Sequence, residues 1–223
     1  MLNQNSYEDA YKLLKKAYDG GKRETELLYR LGRACLGLSA GLKDKDKKKE
    51  WIGEGRRYTE TALETIGNDG TDLNVLKWAA ILCGSAAELL GTKERIQQGY
   101  VFKNLLDRAL AIEQNDFVLL HMRGRFSYTV ANLSWLERTT ASALFATPPT
   151  ATCDDALADF LTAHKVNSKS VENLMYIGKC YLCKNDKTES HKWLTEASKL
   201  ESTNPVEELL QDELRALLAK CKQ

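Results

Sequence analysis

The stretch LMYIGKCYLCKNDKTESHKWLTEA, residues 174–197, reads as two amphipathic helices around one turn. Gly178 sits inside the first helical segment, with Leu174 four residues before it and Tyr181 three after it. Asn185-Asp186 supplies the turn, and Ser190, Leu194 and Ala197 recur at helical spacing in the second segment. Glycine in a helix interior costs about 1 kcal/mol against alanine, so a glycine kept there points to a helix that must approach its neighbour closely. The stretch also holds Cys180 and Cys183 in C-x-x-C spacing, with His191 beyond them. A zinc site would set such a pair on a turn and complete it with further ligands, and a redox pair would open a helix after a strand. The helical frame offers neither, so Cys180 and Cys183 are expected to pack between helices and His191 to stand by on the second one.

The glycine frame recurs. LLYRLGRAC (27–35), KWAAILCGSAA (77–87) and LLHMRGRFS (119–127) each place an apolar residue four before a glycine, namely Leu28, Ala80 and Leu120. Downstream partner helices are expected to end near Ala62, Ala109, Ala163 and Ala197, which lie 30, 25, 39 and 19 residues after Gly32, Gly84, Gly124 and Gly178. This is the tetratricopeptide pattern with inserted loops rather than an even period. Arg123 occupies a slot of the third unit that should be apolar. The fold class expected is all-α, a tetratricopeptide-like superhelix of antiparallel helix pairs forming a single domain over 1–223. Its parts are an N-terminal helix at 4–18, helix pairs at 24–66, 71–112, 116–166 and 170–200, and a C-terminal helix at 205–220 opened by Pro205. A short helix is expected between 132 and 149, inside the third pair.

Composition agrees. Three prolines in 223 residues and few β-branched runs favour helices. Thirty-two basic and thirty-one acidic residues leave a net charge of +1, so any charged partner must be met by a local patch and a general attraction to nucleic acid is not expected. The longest wholly apolar run, AAILC at 79–83, is far short of a transmembrane segment. With no secretory signal pattern and six scattered cysteines, the expectation is a soluble protein with reduced thiols in cytosol or nucleus. No phosphate-binding loop, nucleophile elbow or metalloprotease motif occurs, and with His121, His164 and His191 the only histidines, neither an enzyme nor a cofactor is expected.

Three features suit binding instead. Positions three before and one after each glycine share one helix face, which carries Tyr29, Arg33, Ile81, Ser85, His121, Arg125, Met175 and Lys179. That mixed aromatic and basic groove would take an acidic peptide or a phosphorylated headgroup, unless its cations are solvated or paired with Glu88 and Glu172. The basic stretch KDKDKKK contributes Lys43, Lys45, Lys47, Lys48 and Lys49, with Arg56 and Arg57 beyond; it is expected to be a loop, either solvated or gripping a polyanion. Finally, Trp135, Leu136, Leu144 and Phe145 have helical spacing and are expected to pack in the core, the alternative being a lid over a pocket.

Residues 77–116 and 124–164 resemble the regulator of microtubule dynamics family through C-G-x2-A-E at 83–88, I-Q-x-G-x2-F-K at 96–103 and G-R-x2-Y-x-V-x2-L-S-W-L-E from Gly124 to Glu137. The resemblance extends over roughly 24–200, insertions included. It implies a non-enzymatic protein that binds tubulin or microtubules, in the cytoplasm and at spindle poles, with a part in chromosome segregation. A family member that tethers mitochondria to the endoplasmic reticulum and carries phospholipid implies phospholipid binding as an alternative. This sequence shows neither the apolar N-terminal anchor nor the Phe-Phe pair of that relative, so soluble microtubule binding is the expectation.

Overall fold

A computed structural model describes residues 4–145, 150–200 and 205–221, and among these every regular element is an α-helix. In chain order they are α1 (Gln4–Asp19), α2 (Thr25–Ser39), α3 (Lys45–Ile66), α4 (Leu73–Ala87), α5 (Thr92–Ile112), α6 (Phe117–Ala131), α7 (Trp135–Leu144), α8 (Cys153–Val166), α9 (Val171–Cys183), α10 (Lys187–Ser198) and α11 (Pro205–Cys221). The predicted spans hold to within a few residues. The predicted stop at Thr147-Pro148-Pro149 lies outside the described residues.

Local chemistry sets the ends. Asp44, Asp72, Asp116 and Asp186 accept from backbone N–H groups in the first turns of α3, α4, α6 and α10. Ser134 with Glu137 and Thr152 with Asp155 close reciprocal capping boxes on α7 and α8. The Thr152 bonds hold the Asp155 carboxyl below its usual range. Gly67 ends α3 at a φ of 70°, and Arg108 Nη2 reaches back from α5 to donate to the Gly67 and Gly70 carbonyls at 3.1 and 3.0 Å.

The chain forms two compact units, residues 1–112 and 113–223. In the first, α1 packs on α2, α2 pairs with α3 and α4 with α5, while α4 also meets α2 and α3. Its core includes Leu28, Leu31, Cys35, Tyr58, Ala62 and Val75. In the second, α6 pairs with α8 and α9 with α10, α8 joins the pairs through α9, and α11 closes on α9 and α10. Phe160, Leu174, Ile177, Leu194 and Leu214 centre that core.

Each frame glycine lets a partner helix lie against its own. A Cβ on Gly32 would sit 2.8 Å from Thr59 Cγ2, one on Gly84 2.9 Å from Phe102, one on Gly124 2.7 Å from Phe160, and one on Gly178 2.6 Å from Leu194. In the first, third and fourth pairs the small residue three positions on, Ala62, Ala163 or Ala197, is fully buried, as expected. The second pair differs in register. Phe102 is the residue against Gly84, so the position equivalent to those alanines is Leu105, and Ala109 lies one turn further on.

Three expectations are corrected. Trp135 and Leu136 are not core: they are 79% and 66% exposed, because α7 is absent from the packed helix pairs and buries only Ala141. The stretch 43–49 is largely helical, since the Asp44 cap starts α3 at Lys45 and leaves Lys43 alone outside it. Cys183 is an exposed residue joined in a disulfide to Cys153, so these two are not reduced thiols, whereas Cys180 is buried as expected.

Candidate functional site

In the second unit, α6, α8 and α9 gather a polar cluster around Tyr176. Asn173, fully buried at the start of α9, donates from Nδ2 to the Phe160 carbonyl at 2.9 Å. That bond fixes its amide orientation, so Oδ1 faces His121 Nδ1 at 3.0 Å and must accept. His121 therefore carries its proton on Nδ1 when neutral. Its Nε2 is buried without a hydrogen-bond partner and lies 3.5 Å from Glu172 Oε2. The imidazole is held between Phe117, Phe160 and Tyr176 at centroid distances of 5.9, 5.5 and 5.8 Å.

Glu172 is the hub. Its Oε1 takes Arg125 Nη1 at 3.2 Å while His121 approaches the other oxygen. The approach of His121 first, then the charges of Arg125 and Lys179, hold its carboxyl below the usual range against the burial that opposes this. Lys179 pairs with Glu213 of α11 at 2.7 Å and stands 4.2 Å over the Tyr176 ring, with Arg125 5.6 Å from the same ring. A carboxyl with a depressed folded-state pKa adds stability at pH above its ordinary 4.5, lost as pH falls through the lowered value. Glu172→Gln is therefore expected to lower Tm by roughly 2–4 °C at pH 7, and by less as acid protonates the parent carboxyl; parallel melts from pH 7 to pH 3 measure it.

The structure thus brings His121, Arg125 and Lys179 together and adds Tyr176, Asn173 and Glu213, which the glycine frame alone did not single out. Met175 is corrected: at 1% exposure it is a core residue, because it turns inward with Leu174 while Tyr176 takes the polar side. In the first unit, Tyr29 packs half-buried on the core, Arg33 lies 5.4 Å over Trp78, and Ser85 spends its hydroxyl on the Ile81 carbonyl at 2.9 Å.

The basic residues on α3 stand apart. Lys43, Lys45, Lys47 and Lys49 are exposed and Lys48 is half-exposed. Arg56 is engaged with Glu60 at 2.7 Å, whereas among the described residues the five lysines and the exposed Arg57 join no ion pair. Asp44, which caps the first-turn N–H groups of α3, and Asp46 dilute their positive field without pairing with them. Among the described residues no cluster of three or more His, Cys, Asp or Glu could hold a metal ion, and no helix is long and apolar enough to cross a membrane.

The model of the family described as regulator of microtubule dynamics protein 1-3 matches residues 1–222. The chain belongs to that family. It is 41% identical to regulator of microtubule dynamics protein 1 of Caenorhabditis elegans over 93% of this chain and 90% of that one. Protein 3 of Xenopus laevis is 38% identical over 83% of this chain, and protein 2 of Homo sapiens 27% identical over 100% of it. The chain spans only 41% and 54% of those two vertebrate relatives. Among solved structures, a thermophilic TPR protein of Thermus thermophilus superposes with a TM-score of 0.58 at 15% identity, covering 96% of this chain and 90% of its own. The TPR protein YrrB, described as having an unusual peptide-binding site, gives 0.50 at 16% identity, covering 93% and 84%. These structures establish for the regulator family member the tetratricopeptide fold and nothing further.

Proposed function

We propose that this protein is a non-enzymatic microtubule-associated protein that affects microtubule dynamics by holding acidic segments of tubulin on the lysine-rich start of α3. One observation carries the site: among the described residues, the closely spaced Lys43, Lys45, Lys47, Lys48 and Lys49, and Arg57 further along α3, join no ion pair, whereas Arg125 and Lys179 are balanced by Glu172 and Glu213. Unpaired lysines keep their full attraction for a polyanionic chain. Family membership supports microtubules as the source of that polyanion. Spindle poles and chromosome segregation are the setting this reading favours.

Co-sedimentation with microtubules across increasing salt tests it. The parent chain is expected to bind, and to lose affinity steeply as salt screens the lysines. Reversing Lys47, Lys48 and Lys49 to Glu should weaken binding by about tenfold or more, while Arg125→Ala should change it far less. Binding that ignores the triple reversal, or that persists unchanged on microtubules stripped of their acidic tails, would sink the α3 site.

A further inference from the structure

We propose that Cys153 and Cys183 form a reversible thiol–disulfide site that exchanges with glutathione, entered through the Cys183 sulfur. The pair joins the first residue of α8 to the last of α9, 30 residues apart in sequence with Cα atoms 6.5 Å apart. The two ends differ in access. Cys183 is exposed, whereas Cys153 is 8% exposed under the α6–α7 turn, where Asn132 Nδ2 donates to its sulfur at 3.7 Å.

The other thiols are poorly placed to compete. Burial pushes Cys35 and Cys180 up to about 12 and Cys83 to about 11, so they carry almost no thiolate near neutrality. Cys221 is half-buried beside Ser190 and the Leu217 carbonyl. Thiol chemistry is therefore concentrated at one pair.

The surroundings suit exchange in both directions. A glutathione thiolate attacks Cys183 Sγ; the bond to Cys153 breaks and its electron pair leaves on Cys153 as thiolate. That leaving group sits in the first turn of α8, where backbone N–H groups and the Asn132 amide favour negative sulfur. A second glutathione thiolate then attacks the glutathione sulfur of the mixed disulfide, forming glutathione disulfide and freeing Cys183. Two glutathione thiols are oxidised, the protein disulfide is reduced, and their two protons end on the protein thiols. Beside the pair, Lys184 and Asp154 form an ion pair across the same helix ends. The packing of α8 on α9 keeps the two thiols close after reduction, so glutathione disulfide can re-form the bond. The neighbouring carboxylates are otherwise engaged, Asp155 in the Thr152 cap and Asp154 with Lys184.

The full chain, equilibrated in buffers spanning glutathione-to-glutathione-disulfide ratios and trapped by alkylation, gives a direct reading by peptide mass mapping. Cys153 and Cys183 are expected to change state together within the buffered range, with the other four cysteines constant across it. The oxidised chain should melt roughly 5–10 °C above the reduced one, since the bridge closes a loop within the second unit. In Cys153→Ser, Cys183 should accumulate glutathione, while in Cys183→Ser the shielded Cys153 should gain at least tenfold less. Two permanently free thiols, or a bridge unmoved at the most reducing ratio, would overturn the proposal. Equal modification of the two single variants would overturn the assignment of Cys183 as the entry point. The titration of the parent chain stands even where a variant fails to fold.

Discussion

Phe160→Ala is expected to cost about 3–5 kcal/mol of stability, read as a fall in the denaturation midpoint of the second unit. Phe160 is fully buried and stacks on Tyr176 at 5.1 Å with His121 at 5.5 Å, so truncation opens a void that three helices must share. The reverse change is also expected to fail. Gly124→Ala should gain about 1 kcal/mol of helix propensity. Its Cβ, however, would lie 2.7–2.9 Å from three Phe160 ring atoms, and a fully buried ring cannot swing aside. Overpacking costs about 1–3 kcal/mol, so Gly124→Ala should destabilise on balance. In a Phe160→Leu background the clash disappears and the alanine should become neutral or favourable. A double-mutant cycle measures that coupling, and additive effects would refute the close approach of α6 to α8.

Arg123→Ala is the second large expected loss, about 2–4 kcal/mol, with Asp159→Ala milder. Arg123 donates from Nε and Nη2 to the two Asp159 oxygens at 2.9 and 2.6 Å, a bidentate fork between α6 and α8. Exposure makes the pair asymmetric: the Asp159 side chain is 12% exposed, that of Arg123 36%. Removing the arginine leaves a carboxylate stranded in the interior, whereas removing the aspartate leaves a cation that water can reach. Replacing both by Arg123→Met and Asp159→Leu should recover most of the loss. Urea denaturation of the four chains checks the ordering, and equal losses from the two single changes would contradict the burial argument.

That pair resolves what the repeat pattern left odd. An arginine in an apolar slot of the third unit looks like a failed consensus when only neighbouring residues are read. Its partner sits 36 residues later on α8, and a carboxylate at that distance carries no local mark. The disulfide was missed for a related reason. Cys180 and Cys183 invite pairing by spacing, yet three residues along a helix give neither the turn nor the direction that a bridge needs. Cys183 meets Cys153 because α8 and α9 run antiparallel and bring one's start beside the other's end. Trp135 and Leu136 mislead in the opposite way, since apolar residues at helical spacing describe a helix face and say nothing about whether another element covers it. Of the proposed sites, the α3 lysines were legible as charge density. Glu172 was legible as a partner for the groove cations and takes Arg125; that the lysines lie at a capped helix start, and that Lys179 pairs with Glu213, required coordinates.

The sequence by itself determined the helices, most of their ends and three of the four glycine contacts, because caps, turns and the 3.6-residue period act within a few residues of chain. Glycine is legible at a distance for the same reason, as a local cost that only a close neighbour can repay. Tertiary structure decided which polar groups are neutralised and which remain available. The Asn173 amide orients His121, Glu172 and Glu213 engage the groove cations, Asp159 takes Arg123, and none of the described residues forms an ion pair with the lysines of α3. Those outcomes depend on side chains meeting across helices tens of residues apart, where the energy of a charge is set by burial and partner rather than by its place in the chain.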